Sequence, residues 1–223
     1  GGMKEGLIEM SKVKDNAGAE CPPKVKAIYQ AVFELFEEGT DLNSLTVSEI
    51  TKKAGIGKGT AYEYFSDKEE MIARAIFYNV EMFCQKICKG IDREKDLSDK
   101  VNYVLCAMEQ QIPNTNCLFR LVHIISGNAV TSRRFREVVE QQRLFGEKPV
   151  ESVAKQVLKD VFNEKETLSQ EKKNYLLMSV YSKVLSYGMF LSENQYGSTE
   201  QKDAMRSLIC RGICKEVDEI EDL

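Results

Sequence analysis

Several features are scarce in this chain of 223 residues, and each scarcity narrows what the protein can do. The single histidine, His123, lies in an apolar stretch, where a lone histidine is more often structural than catalytic. The sequence also lacks a glycine-rich phosphate loop, a mixed set of metal ligands and a nucleophile motif with its base. We therefore expect a protein that is not an enzyme and needs no cofactor or metal. A second interpretation of His123 is a polar group in an apolar ligand pocket.

Long uncharged apolar runs are missing as well, so neither a membrane span nor a signal peptide is indicated. We expect a soluble, cytoplasmic protein. Only four prolines interrupt the chain, which leaves room for long helices. The seven cysteines are an odd number, and two pairs lie four residues apart in helical patterns, Cys84/Cys88 and Cys210/Cys214. This suits buried free thiols better than a disulfide framework, with a metal site and a redox switch as the alternatives.

A compact pattern occupies residues 46–70, which read TVSEITKKAGIGKGTAYEYFSDKEE. A threonine followed three residues later by a glutamate is a capping box, so a short helix is predicted from about Val47. Gly55 can take the left-handed conformation that ends a helix, and a second short helix then reaches Tyr64. Two helices joined by a glycine turn fit a helix-turn-helix, whose second helix enters the DNA major groove. Ordinary helical bundles contain the same pattern, so spacing alone leaves protein and DNA as alternative partners.

This segment resembles the N-terminal signature of the tetracycline-repressor (TetR) family of transcriptional regulators. The match has no gap and includes Thr46, Ile50, Ala54, Gly55, Lys58, Gly59, Thr60, Tyr62, Tyr64, Phe65, Lys68 and Glu69. It departs from the family at Gly57, where serine or threonine is usual, and at Ala61, where a larger apolar residue is common. The resemblance implies an all-α fold. An N-terminal three-helix helix-turn-helix domain would bind DNA, and a long helix would join it to a C-terminal helical domain for ligand binding and dimerisation.

The resemblance also implies roles for individual residues. The DNA-binding positions that it implies are Thr46, Lys58, Gly59, Thr60, Tyr62, Tyr64 and Lys68. The three at the start of the second helix would face the groove, and the other four would contact phosphates or frame the backbone. The chain would then be a regulator, in the first place a repressor, that binds a palindromic operator as a homodimer and leaves it when a small-molecule effector binds. A helical protein-interaction module and a DNA-binding protein without small-molecule control are the alternatives.

Electrostatic charge gives this interpretation little support. The net charge is −4, and between Lys24 and Lys68 six lysines face seven acidic residues. Attraction for phosphates must then come from the N-termini of helices and from four lysines around the second and third helices. These are Lys52, Lys53, Lys58 and Lys68. We expect few phosphate contacts and a modest non-specific affinity.

The pattern divides the chain into three parts. Residues 1–21 form a polar arm, which is either a solvated tail or a flexible arm whose lysines reach a minor groove. Residues 22–68 form the helix-turn-helix domain, and residues 69–223 form the effector-binding and dimerisation domain. Asp67 and Glu70 resemble an acidic capping box for a fourth helix, which is long enough to leave the small domain and enter the next.

Long amphipathic helices dominate the C-terminal part. A helix near residues 116–126 is apolar nearly all round and is predicted at the centre of this domain. One helix is predicted from about Ser132 to Asn163, and Pro149 is expected to kink it near Phe145-Gly146. The last two run from about Ser169 to Glu193 and from Thr199 to Asp218. The first of these has two apolar faces. One face includes Val180 and Val184, and the other includes Met178 and Met189. We expect the second face to pair two copies of the chain, with a wholly intrachain core as the alternative.

Overall fold

A computed structural model describes residues 21–110, 133–145, 149–193 and 197–222. The described residues form helices and connecting turns, without strands, and the all-α prediction is confirmed. The predicted apolar helix near residue 120, with His123, and the N-terminal arm lie outside the described residues. The helices are α1 (Pro23–Glu37), α2 (Val47–Ala54), α3 (Lys58–Tyr64), α4 (Lys68–Ile91), α5 (Leu97–Gln110), α6 (Arg133–Phe145), α7 (Pro149–Glu164), α8 (Gln170–Glu193) and α9 (Thr199–Glu219).

The described residues fall into two compact units. One contains residues 21–79 together with α6, and the other contains residues 80–110 and the described residues from 149 onward. Helix α4 belongs to both, because the division lies between Asn79 and Val80. The first unit is therefore assembled from two segments that are far apart in the sequence. The predicted domain boundary after residue 68 stays a prediction.

The core of the first unit forms between α1 and the short helices that follow it. Val25, Ile28 and Val32 of α1 are buried, as the three-four spacing predicts. The ring of Tyr29 packs edge-on against that of Phe65, with 5.9 Å between the centroids. Phe65 is 1% exposed. Full burial of such side chains contributes roughly 2 kcal/mol each, so this core fixes α3 against α1.

Pro149 begins a helix instead of kinking one. Helix α6 ends at Phe145 and α7 begins at Pro149, so the prediction of one long helix through this region is wrong. A proline is well tolerated in the first turn, since the amide there has no partner within the helix. The two helices also belong to different units.

Four helices, α5, α7, α8 and α9, pack together in the second unit. Its buried side chains include Val101, Val104, Leu105, Val157, Leu158, Leu176, Val180, Leu191, Ile213 and Val217. One part-buried polar contact joins three of these helices, because the Glu109 carboxylate accepts hydrogen bonds from the Tyr187 hydroxyl and from the Arg206 guanidinium. In the part of the chain that the structure describes, no helix is long and apolar enough to cross a membrane.

The two faces predicted for α8 are confirmed. Val180 and Val184 are buried, while Met178 is 62% exposed and Met189 is 58% exposed. These methionines lie eleven residues apart, about three turns, so they share one side of the helix. Leu208 of α9 is also exposed. A monomer thus leaves large apolar side chains of its last two helices in solvent.

Gly90, near the end of α4, is buried against Tyr103 of α5. A Cβ atom at this position would lie 1.9 Å from Tyr103 Oη and 2.1 Å from its Cζ. We expect Gly90→Ala to lower the free energy of unfolding by about 1–2 kcal/mol, because overpacking outweighs the gain in helix propensity. Urea unfolding measures this change. In a Tyr103→Ala background the same substitution should become stabilising; a stabilising effect in the wild-type background would contradict the packing argument.

Candidate DNA-binding site

Helix α2 starts with a complete capping box. The amide and hydroxyl of Thr46 donate to the Glu49 carboxylate, at 2.8 and 2.6 Å, and the Glu49 amide donates to Thr46 Oγ1 at 3.2 Å. The hydrogen bonds from Thr46 lower the pKa of Glu49. The predicted cap is confirmed, and it occupies the hydroxyl proton of Thr46 within the unit. In this conformation Thr46 can offer a phosphate no hydroxyl proton unless the cap opens.

The turn between α2 and α3 depends on glycine. Gly55 has φ 69° and ψ 28°, the left-handed conformation predicted for it. Its amide donates to the Lys52 carbonyl at 3.2 Å, and the Ile56 amide donates to the Thr51 carbonyl at 3.0 Å, which closes α2. Gly57 then adopts an extended conformation as the N-cap of α3 and gives it no side-chain cap. The first amides of α3 are therefore left for solvent or for a ligand.

Helix α3 is anchored at one face and open at its start. Ala61 is fully buried, so this face of α3 packs into the core of the unit. Lys58 and Gly59 are exposed, and Thr60 is half-buried. Tyr62 is 48% exposed, whereas Tyr64 is half-buried. The three residues predicted to face the groove, Lys58, Gly59 and Thr60, therefore lie in the first turn of α3. Tyr62, predicted to contact a phosphate, follows in the same helix.

The four lysines differ in their availability. Lys53 Nζ lies 2.5 Å from Glu38 Oε1 and 3.8 Å from Glu34 Oε2, at the end of α1. Lys68 Nζ donates to the Asn43 carbonyl at 3.4 Å. Lys52 and Lys58 are exposed. Lys53 is therefore paired with two carboxylates, which the sequence patterns did not indicate, and its availability to a phosphate stays a prediction.

The start of α4 is held by a tight set of hydrogen bonds. Asp67 Oδ1 accepts from the Glu70 amide at 2.7 Å, which makes Asp67 the cap that the sequence predicts. The Glu70 carboxylate reaches back to the amide and hydroxyl of Ser66, at 2.8 and 2.6 Å, and so passes over the cap residue. The second carboxylate oxygen of Asp67 accepts from Arg134 Nε of α6 at 2.8 Å. Sequence patterns gave no sign of Arg134, because 67 residues separate it from Asp67.

The electrostatics of this cluster favour an ionised Asp67. Partial burial raises the pKa of the carboxyl, but hydrogen bonds from the Glu70 amide and from Arg134 outweigh burial, and the pKa is lowered. The hydrogen bond to Asp67 raises the pKa of Arg134. Both groups are therefore charged at neutral pH, and the contact is an ion pair.

Cys84, Cys88, Cys106, Cys210 and Cys214 are free thiols, in agreement with the sequence. Cys84 is buried, and burial raises its pKa to about 12. Because the thiolate is the reactive form, this residue is a poor nucleophile at neutral pH. Within the described ranges, no group of three or more histidine, cysteine and acidic side chains could hold a metal ion. Cys117 lies outside these ranges.

Comparison with known proteins points to one class of regulator. The model for bacterial regulatory proteins of the tetR family matches residues 28–75, which contain α2, α3 and parts of α1 and α4. The nucleoid occlusion factor SlmA of Vibrio cholerae is 26% identical over 149 residues, which are 65% of this chain and 71% of that protein.

Solved structures share the fold over most of the chain. The fatty acid degradation regulator FadR of Bacillus halodurans has a TM-score of 0.60 at 16% identity, over 89% of this chain and 96% of its own. FadR of Bacillus subtilis, in complex with stearoyl-CoA, has a TM-score of 0.61 at 15% identity, over 84% of this chain and 98% of its own. At such identities these structures establish a common fold and leave the ligand open.

Proposed function

We propose that this chain, whose residues 28–75 match the model for bacterial regulatory proteins of the tetR family, binds a palindromic operator as a homodimer, represses transcription, and leaves the DNA when a small-molecule effector binds. The observation that carries the proposal is the exposed first turn of α3, which Ala61 and Phe65 anchor to a buried core. A rigid helix with an open N-terminal end is what the major groove accepts. We propose that the protein acts in the cytoplasm, where it can reach the chromosome.

Each proposed contact has a physical basis in the site. Gly59 has no side chain, so the backbone of α3 can approach the base edges closely. Lys58 and the Thr60 hydroxyl would supply polar contacts to bases, and the uncapped amides of the first turn would receive a phosphate. Tyr62 and Lys68 would hold the DNA backbone through a hydroxyl and an ammonium group. Tyr64 is half-buried, and the hydroxyl of the exposed Thr46 is occupied by the cap of α2. We propose that these two residues frame the segment at the edges of the DNA contact.

Substitutions at different residues should affect overall affinity and sequence preference separately. We expect Tyr62→Phe and Lys68→Ala to weaken binding to all duplexes by roughly three- to tenfold, since phosphate contacts carry no sequence information. Lys68→Ala should also reduce the slope of log affinity against log salt by about one. Thr60→Val removes a hydroxyl at constant shape, and it should change the preferred base at one position of each half-site.

These effects can be measured by selecting duplexes from random DNA and then titrating them by fluorescence anisotropy at several salt concentrations. Lys159→Ala, at an exposed lysine on α7 in the other unit, is the matched control for loss of charge. Unchanged operator affinity in both Tyr62→Phe and Lys68→Ala would refute the phosphate roles. Failure of the wild type to enrich a palindromic sequence would refute operator binding itself.

The homodimer is proposed through the exposed apolar sides of α8 and α9, over the predicted ranges from Ser169 to Glu193 and from Thr199 to Asp218. Met178, Met189 and Leu208 supply an apolar surface that a second copy would cover. A two-fold pair would present two copies of α3 to two half-sites about one helical turn apart. The domain division after residue 68 would then separate DNA reading from effector binding and pairing.

Effector control requires a ligand that binds the DNA-free conformation better than the DNA-bound one, because a ligand shifts an equilibrium only by its difference in affinity. A thermal-shift screen of hydrophobic and cationic compounds tests this proposal. The panel should include long-chain acyl-CoA, since the FadR structure from Bacillus subtilis holds stearoyl-CoA. A true effector raises the unfolding temperature and also lowers operator affinity. A compound that only stabilises the protein is not an effector.

The identity to SlmA favours a second candidate, a DNA-binding protein that acts in nucleoid occlusion without small-molecule control. The two candidates predict different distributions of bound DNA. A promoter repressor should occupy a few sites upstream of regulated genes, and its deletion should raise their transcripts. Sites dispersed along the chromosome, with a cell-division defect on deletion and no response to any compound, would support the second candidate.

A further inference from the structure

Arg134 of α6 contacts the segment that joins α3 to α4. Arg134 Nε donates to Asp67 Oδ2 at 2.8 Å, and Arg134 Nη2 lies 3.5 Å from the Ser66 hydroxyl. Helix α3 ends at Tyr64, and α4 begins at Lys68. The arginine therefore contacts two of the three residues that connect these helices.

This connection is rigid on its other sides. Phe65 is buried and carries the Arg74 guanidinium over its ring, at 5.6 Å from the centroid. Ser66 is tied to Glu70, and Asp67 caps the first turn of α4. Since the joint is already fixed to α4 by local bonds, a contact from α6 acts on the joint and the start of α4 together. The direction in which α3 projects follows from both.

The placement of α6 supports this role. Phe135 and Val138 are buried, and the helix belongs to the same compact unit as α1, α2 and α3. Arg133 and Arg134 are adjacent yet differ sharply. Both lie within ion-pair distance of Glu137, at 3.1 Å for Arg133 and 4.0 Å for Arg134. The side chain of Arg133 is 90% exposed, whereas that of Arg134 is 32% exposed and also reaches Asp67.

We propose that Arg134 is a positioning residue for DNA binding, which holds the α3–α4 joint through Asp67 and so fixes the angle at which α3 meets the groove. The inference rests on the proposed DNA-binding function and adds to it a residue far outside the helix-turn-helix segment. Arg134 needs no contact with DNA in this role. Because both partners are about one-third exposed, their contribution to folding stability is small, and the effect should appear in affinity.

The test compares four variants by operator titration and thermal unfolding. Arg134→Gln removes the grip, and Asp67→Asn removes the charge while keeping an oxygen for the cap of α4. Arg133→Gln removes the same charge from the neighbouring, exposed position and is the matched control. The double variant Asp67→Asn/Arg134→Gln measures whether the two residues act through each other.

We expect Arg134→Gln and Asp67→Asn each to weaken operator binding about tenfold, and the double variant to lose no more than either alone. Arg133→Gln should change affinity less than about twofold. Each protein should stay folded well above the temperature of the titration, so that a purely structural role would leave affinity unchanged. Equal losses in Arg133→Gln and Arg134→Gln would show a general charge effect and overturn the proposal, as would additive losses in the double variant. If the wild type binds no duplex, the proposed function fails first, and that result is distinct from all of these.

Discussion

Replacing Met178 and Met189 together with glutamate should turn a dimer into a monomer and weaken operator binding by about a hundredfold or more. Both methionines lie on the exposed side of α8, and two copies of the chain would bring them together. Burying four carboxylates in an apolar contact without partners costs more than such an interface can supply. A dimer that contacts two half-sites gains avidity of about 10² or more when the geometry fits. Loss of the dimer removes this gain.

Sedimentation equilibrium at micromolar concentration measures the mass, and fluorescence anisotropy measures the affinity. The control is Lys155→Glu/Asn163→Glu, which adds two carboxylates at exposed positions of α7 in the same unit. This control should remain dimeric and bind the operator normally. A wild-type protein that sediments as a monomer would refute the proposed pairing, whatever the variant does.

Glu109→Ala should lower the free energy of unfolding by about 3 kcal/mol. The Glu109 carboxylate accepts from the Tyr187 hydroxyl and the Arg206 guanidinium, so it connects α5 with α8 and α9. Tyr187 is 1% exposed and the Arg206 side chain is 16% exposed. Alanine would leave a buried hydroxyl and a largely buried cation without their shared acceptor.

Urea unfolding of matched variants tests this prediction. Asp203→Asn is the control, because Asp203 accepts from the other Arg206 nitrogen at a site where its own side chain is 55% exposed. We expect its loss to stay below about 1 kcal/mol. A similar loss in both variants would mean that Glu109 contributes no more than a surface acid.

Local signals explain why so much of the candidate site was predictable. The cap at Thr46 and the left-handed Gly55 each depend on residues within a few positions, and both are confirmed. The two faces of α8 follow from helical spacing in the same way. Proline is a less definite signal, since Pro149 can kink a helix or begin one, and in the structure it is the first residue of α7.

Contacts between distant residues escaped the sequence analysis for a physical reason. Lys53 faces Glu34 and Glu38 only because α1 folds back beside α2, and Arg134 meets Asp67 only because α6 joins the first unit. Neither pairing follows a helical repeat. A count of charges along the chain treats these residues as independent. In the folded unit, Lys53 is paired with Glu34 and Glu38, and Arg134 with Asp67. Sequence patterns therefore did not indicate that Lys53 is ion-paired.

The discontinuous make-up of the first unit has a consequence for exchanging parts between regulators. A hybrid that transplants residues 21–79 onto the body of another regulator with this fold would carry α1, α2, α3 and the start of α4, but it would leave α6 behind. The graft would lack Phe135 and Val138, which are buried in the intact chain, and Arg134, the partner of Asp67. Hybrids of this protein should therefore include residues 133–145 together with residues 21–79. Recombination at a single crossover point cannot achieve this.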